Sequence, residues 1–101
     1  MKIIFNVIDK TGRKIRMTNW NWEHIIRRHP EISSEKDKII ETLEKPDKIT
    51  LSTRDEDVRY YYKYYKHISH KYKFLRVIVK HLNGEGFVIS AQFISKINQS
   101  K

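Results

Sequence analysis

The chain has 101 residues, of which 39% are hydrophobic and 33% are charged. This length predicts a single domain over residues 1–101 with a modest core, and the hydrophobic content excludes a disordered chain. There are no cysteines, which excludes a disulfide framework and a thiolate zinc site and favours the reducing cytoplasm. No apolar stretch is long enough to cross a bilayer, so we expect no membrane partner.

The net charge of +9 arises from 21 Lys and Arg residues against 12 Asp and Glu residues. From Arg59 to His81 there are seven Lys or Arg residues and no acidic residue. Such a stretch favours a polyanion, and we expect single-stranded RNA, because cations neutralise phosphates while tyrosine rings stack on bases. An ordinary basic β-domain, with tyrosines in its strands and lysines at its edges, would show the same composition.

The first part of the chain predicts a β-hairpin followed by a helix. Two β-rich runs, 2–8 and 13–17, flank a turn that contains a glycine. Thr18 or Asn19 can cap the helix that follows. Pro30 disfavours helical backbone at the residue before it, so this helix should end there or one residue earlier.

A second helix and a sheet are predicted after Pro30. Ser34 and Asp37 have the spacing of a capping box, and Pro46 ends the helix. The hydrophobic period then changes from 3.6 to 2. An edge-like segment and three further β-runs follow at Lys48 to Ser52, Val58 to Lys66, Phe74 to Lys80 and Gly86 to Ile94. The last two runs are joined through Asn83-Gly84, which is a strong hairpin signal. The predicted fold class is therefore α+β, with an N-terminal β-hairpin, two helices and a four-stranded antiparallel sheet.

Strict alternation predicts one core face and one mixed face for this sheet. The expected core face carries Tyr60, Tyr62, Tyr64, Leu75, Val77, Val79, Phe87, Ile89, Ala91 and Phe93. The expected mixed face carries Arg59, Tyr61, Lys63, Tyr65, Arg76, Ile78, Lys80, Val88, Ser90 and Gln92. The mixed face is the predicted RNA surface.

The first helix places an imidazole and a guanidinium one turn apart, at His24 and Arg28, away from its apolar stripe. A histidine can exchange protons with a ribose 2′-hydroxyl or a leaving 5′-oxygen at cellular pH. Arg28, Arg59 and Lys80 could then stabilise the extra charge of the phosphorane. A solvent-facing residue without a role is an equally good interpretation of His24. For His29 we favour a structural role at the helix end over substrate contact.

Neither a cofactor nor a metal is predicted. His67 and His70 have a spacing that some metal sites use, but no third ligand is nearby in the sequence. There is no glycine-rich phosphate loop, no Ser/His/Asp order and no carboxylate pair with helical or strand spacing. Any phosphate chemistry should therefore depend on histidine and cationic side chains.

Several motifs together resemble a known group of nucleases. They are Trp22-Glu23-His24-Ile25, Arg28-His29-Pro30-Glu31, Pro46-Asp47-Lys48-Ile49, Arg59-Tyr60-Tyr61 and Val88-Ile89-Ser90-Ala91. From residue 20 to residue 97 the chain resembles the small barnase-EndoU-colicin-RelE-like (BECR) nucleases, particularly the branch associated with phages and mobile elements. The resemblance implies a metal-independent ribonuclease, often a toxin paired with a protein inhibitor. By position, it selects His24, Arg28, Arg59 and Ser90 as site residues.

The last strand departs from the pattern of that group. Where the resemblance leads us to expect Thr-Ala-Tyr, the chain has Ser90-Ala91-Gln92. The hydroxyl is kept and a possible aromatic stack is lost, which bears on substrate choice more than on fold.

The sequence thus predicts a metal-independent endoribonuclease that cleaves single-stranded RNA by 2′-hydroxyl attack, with a protein antitoxin or inhibitor considered as a second partner. The predicted catalytic residues are His24, Arg28, Arg59, Lys80 and Ser90, and the predicted nucleic-acid contacts are Tyr61, Lys63, Tyr65, Arg76 and Gln92. Two alternatives stay open. One is a non-catalytic RNA- or DNA-binding accessory protein on the same fold, and the other is an interaction module whose basic face binds an acidic protein.

Overall fold

The computed structural model describes residues 2–97. Its elements are β1 (Ile3–Ile8), β2 (Lys14–Thr18), α1 (Asn19–Arg28), a 3-10 turn (Pro30–Ser34), α2 (Lys36–Glu44), β3 (Lys48–Leu51), β4 (Val58–Tyr64), β5 (Phe74–Leu82) and β6 (Glu85–Ile94). All the strands belong to one sheet in the order β1-β2-β6-β5-β4-β3. No helix within residues 2–97 is long and apolar enough to cross a membrane.

The α+β class is confirmed, but the predicted four-stranded antiparallel sheet is wrong. The sheet has six strands and is mixed, because β2 pairs with β6 in parallel and joins the N-terminal hairpin to the later strands. At this junction Ile15 lies opposite Gly86. A Cβ atom on Gly86 would lie 2.7 Å from the Lys80 carbonyl oxygen and 2.9 Å from Ile15 Cδ1, so only glycine allows this close approach.

The two helices pack on the same face of the sheet, which we call the helix face. Their buried residues Ile25, Ile39 and Leu43 belong to one hydrophobic core with the sheet. The sheet contributes Ile15, Met17, Tyr61, Leu75, Val77, Val79, Val88, Ala91 and Phe93 to that core. We call the other side of the sheet the open face, since none of the helices within residues 2–97 covers it.

The limits of α1 agree with the prediction, whereas the start of α2 does not. The Thr18 side chain caps α1 by accepting a hydrogen bond of 3.1 Å from the Asn21 backbone N–H, and the helix ends at Arg28. Ser34 does not cap α2 but ends the 3-10 turn, and α2 begins at Lys36 without a side-chain cap. The capping-box prediction fails because the 3-10 turn buries an isoleucine in the core before the helix starts.

Candidate active site

The two faces of β4 are the reverse of those predicted. Tyr61 pairs with Val77 and Lys63 with Leu75, so the odd-numbered residues of β4 share the helix face. The prediction relied on Val58, which is buried although it lies opposite Lys80 on the open face. Tyrosine has an apolar ring and a polar tip, so alternation within a tyrosine run does not distinguish the faces. The residues on the open face are Tyr60, Tyr62 and Tyr64.

A bulge in β6 changes the faces of three further residues. The pairing with β5 shifts at Ile89, which is an extra, exposed residue in its strand. As a result Val88 is fully buried on the helix face, and Phe87 lies opposite Lys80 on the open face. Strict alternation does not predict a bulge. The extra residue reverses which face the residues on one side of it occupy. Beyond the bulge the predicted faces are confirmed for Ser90, Ala91, Gln92 and Phe93.

The structure does not bring the five predicted catalytic residues together. His24 and Arg28 are exposed on α1, which packs on the helix face. Ser90 and Lys80 lie on the open face, on the other side of the sheet. Arg59 is half-buried near the start of β4, opposite a helix-face residue of β5. A site on α1 would therefore have to act without Ser90 and Lys80.

Acidic side chains from outside the basic stretch lie close to two of its cations. Lys80 Nζ lies 2.6 Å from an Asp55 carboxylate oxygen, and this hydrogen bond raises the pKa of Lys80 and lowers the pKa of Asp55. Lys63 Nζ donates to the Lys45 carbonyl oxygen at 2.9 Å and lies 4.0 Å from an Asp47 carboxylate oxygen. The stretch from Arg59 to His81 is thus not one uninterrupted cationic surface in the folded protein.

The predicted nucleic-acid contacts are divided between the two faces. Tyr61 is fully buried, and the Tyr65 hydroxyl lies within hydrogen-bonding distance of two acceptor oxygens on α2, at 2.8 and 3.1 Å. Burial raises the pKa of both phenols. Arg76 and Gln92 are neighbours on the open face. The Arg76 guanidinium lies 5.6 Å from the centre of the Tyr60 ring. Only Arg76 and Gln92 of the predicted contacts lie on the open face.

A pocket of about 440 Å³ lies at one end of the sheet. It is formed where the β1–β2 turn, the start of β4 and the β5–β6 turn meet. Both turns contain a glycine with positive φ, Gly12 at 88° and Gly84 at 71°, which fits the hairpins that the sequence predicts. The residues that line the pocket are Arg13, Asp57, Arg59, His81, Leu82, Asn83 and Gly84.

A chain of hydrogen bonds runs from Asp9 through Tyr61 to His81. Asp9 is only 4% exposed, and one of its oxygens accepts hydrogen bonds from Thr11 and Arg13. The other oxygen accepts from the Tyr61 hydroxyl, whose oxygen lies 3.1 Å from His81 Nε2. Because Tyr61 donates its only proton to the carboxylate, its oxygen must accept from His81. The network therefore assigns the proton of neutral His81 to Nε2 and leaves Nδ1 free to accept another.

The surroundings of His81 favour the neutral imidazole. Burial lowers the pKa of His81, and the positive charges of Arg13 and Arg59 lower it further. The carboxylates of Asp9 and Asp57 act in the opposite direction but do not reverse the shift. The lowered pKa favours the neutral imidazole, the state that a general base requires.

Backbone carbonyl groups hold the two arginines of the pocket. Arg13 Nη1 donates to carbonyl oxygens of the β5–β6 connection at 2.6 and 3.2 Å. Arg59 Nη1 donates to carbonyl oxygens at the start of β4. Within residues 2–97 neither side chain forms an ion pair. Since a carbonyl brings no net charge, both guanidiniums keep their positive charge for a bound anion, although Asp57 at the rim offsets part of it.

Sequence reasoning found Arg59 but missed Asp9, Arg13 and His81. Asp9 is the first residue of the first predicted turn and His81 is the first residue of the predicted connection that contains Asn83-Gly84, so each is a polar residue where a strand meets a hairpin turn. A polar residue at such a position was the sequence signal that could have indicated these site residues. The two hairpins become neighbours only through the parallel pairing of β2 with β6, which periodicity does not reveal.

The chain matches no protein-family model, no curated protein and no solved structure with which it was compared. The resemblance to the BECR nucleases therefore stays a prediction. What the fold and the site define is an α+β protein with a basic pocket that contains one histidine. Over residues 2–97 no group of three or more His, Asp or Glu side chains is arranged to hold a metal ion.

Proposed function

We propose that the protein is a metal-independent endoribonuclease whose reaction takes place in the pocket between Arg13, Arg59 and His81. The observation that carries the proposal is an imidazole that Tyr61 orients and that lines one pocket with two guanidiniums without ion pairs. RNA cleavage by its own 2′-oxygen needs a base for the hydroxyl proton and cations for the charge that develops on phosphorus. The pocket offers both.

In the proposed reaction His81 Nδ1 takes the proton of the ribose 2′-hydroxyl, and the 2′-oxygen attacks the neighbouring phosphorus. Arg13 and Arg59 bind the phosphate oxygens and stabilise the added charge. The bond from phosphorus to the 5′-oxygen then breaks, and the leaving oxygen takes a proton from water. The products are a 2′,3′-cyclic phosphate and a 5′-hydroxyl. The imidazolium, stabilised through Tyr61 by the Asp9 carboxylate, finally returns its proton to solvent.

A second candidate function is RNA binding without cleavage. It is supported by the open face, where the rings of Tyr64 and Phe74 lie 5.3 Å apart and the Arg76 guanidinium lies over Tyr60. Exposed aromatic rings next to cations are typical surfaces for single-stranded nucleic acid. In both cases single-stranded RNA in the cytoplasm is the proposed target, and an inhibitor protein remains a proposed partner.

Cleavage of RNA in the presence of a chelator tests the proposal. Single-stranded RNA incubated with the protein and EDTA should yield 2′,3′-cyclic phosphate and 5′-hydroxyl ends. An oligonucleotide with one 2′-deoxynucleotide at the cleaved position should bind but stay intact there, because the attacking oxygen is missing. Cleavage at the deoxy position, or activity that EDTA removes and magnesium restores, would contradict the mechanism. Binding of intact RNA without any cleavage would favour the second candidate.

A further inference from the structure

The two edges of the sheet are protected to very different degrees. The β3 edge is four residues long, contains Lys48 and follows Pro46, all features that discourage pairing with another strand. The β1 edge is six residues long and has no charged side chain. Two of its three isoleucines, Ile3 and Ile8, are 46% and 56% exposed. β3 therefore has the short length, the charge and the neighbouring proline that protect a sheet edge, whereas β1 has only the irregular pairing between Ile3 and Phe5.

The backbone of β1 can accept a further strand. Among the described strands β1 pairs only with β2, so the N–H and C=O groups on its other side face away from the sheet. Its pairing with β2 shifts between Ile3 and Phe5 and is regular from Phe5 to Ile8. An uncharged and regular edge of this kind is a template for the addition of another strand.

We propose that two copies of this chain associate through β1, which pairs with β1 of the second copy in antiparallel orientation. A two-fold axis perpendicular to the sheet and passing beside Asn6 would place Phe5 opposite Val7 of the second copy. Both of these residues lie on the helix face, so the core would continue across the contact. The two sheets would become one.

The charge distribution favours a second copy over an acidic partner. An acidic protein would be attracted to the many lysines and arginines elsewhere, whereas β1 offers it no charge to bind. When β1 of one copy pairs with β1 of another, no charged side chain lies within either strand. Their net charge of +9 each still opposes association at long range, so added salt should strengthen the dimer. RNA binding should respond to salt in the opposite direction.

A single cysteine at Asn6 tests the pairing directly, because the chain contains no other cysteine. Directly opposite Cα atoms in an antiparallel pair are about 4.5–5.5 Å apart, which a disulfide can bridge. Mild oxidation of Asn6→Cys should therefore give a covalent dimer on a non-reducing gel. The matched control is Leu51→Cys on the β3 edge, where the side chain is 59% exposed, and it should stay monomeric. Equal cross-linking of both variants would overturn the proposal.

Sedimentation equilibrium of the unmodified chain gives an independent result. The average mass should rise from 12.3 kDa towards twice that value with protein concentration, and more strongly at high salt. Ile8→Lys should restore the monomer, whereas Leu51→Lys should not, since both positions are exposed but only Ile8 lies on β1. A monomer up to millimolar concentration, assemblies larger than a dimer, or equal loss in both variants would overturn the proposal.

Discussion

Replacing His81 with alanine should lower the rate of RNA cleavage about 10²- to 10⁴-fold, the usual effect of losing a general base. The reason is that Nδ1 of neutral His81 is the proposed proton acceptor beside the two arginines. RNA affinity should change little, because Arg13 and Arg59 remain to bind phosphate. Single-turnover cleavage at saturating protein measures the rate, and fluorescence anisotropy with an uncleavable 2′-deoxy oligonucleotide measures the affinity.

A parallel His24→Ala variant separates this pocket from the site on α1 that the sequence predicts. Both histidines can be removed with little expected loss of stability, since His24 is exposed and His81 is only half-buried. His67→Ala, at another exposed histidine between β4 and β5, controls for the loss of an imidazole anywhere on the surface. Loss of cleavage in His24→Ala, with normal cleavage in His81→Ala, would contradict the pocket and favour the α1 site.

Asp9→Ala should lower the free energy of unfolding by about 3–5 kcal/mol, since each buried polar group left without a partner costs about 1–3 kcal/mol. The buried carboxylate accepts four hydrogen bonds, two from Thr11 and one each from Arg13 and Tyr61. Without it the fully buried Tyr61 loses its acceptor and the β1–β2 turn loses its internal support. Urea unfolding monitored by circular dichroism measures the change.

Asp47→Ala is the matched control for Asp9→Ala. Asp47 also accepts a backbone hydrogen bond, from Tyr64 at 2.7 Å, but it is exposed and its partners can bind water instead. We therefore expect a loss below about 1 kcal/mol. If both variants lose the same small amount, the Asp9 carboxylate does not hold the turn and Tyr61 in place.

The parts of the fold that the sequence predicts well are those governed by neighbouring residues. One such local feature is the first helix, which has its cap at Thr18 and ends before Pro30. The two glycine turns are others. The parallel pairing of β2 with β6 joins segments that are far apart in the chain, and at this junction Ile15 lies against Gly86. No period within either strand contains that information.

The site could be predicted only in part for the same reason. Of the residues of the proposed site, the sequence singles out Arg59. Tyr61 is predicted to contact bases, but its ring is fully buried and its hydroxyl contacts His81. Asp9 and His81 belong to different hairpins, so their relation follows from the order of strands. The exposed pair His24 and Arg28 is predictable from the sequence, because residues four apart in a helix are neighbours on its surface.

Nuclear magnetic resonance of the histidine rings tests the location of the site most directly. The chain has five histidines, so one pH titration reports on His24, His29, His67, His70 and His81 together. In the free protein the pKa of His81 should lie below the usual value near 6.5. Addition of a 2′-deoxy oligonucleotide should raise the pKa of His81 and shift its ring signals, because a bound phosphate offsets the charges of Arg13 and Arg59. The ring signals of His24 should not move. A pKa of His81 that does not respond to the oligonucleotide, together with a shift at His24, would contradict the assignment of the pocket as the active site.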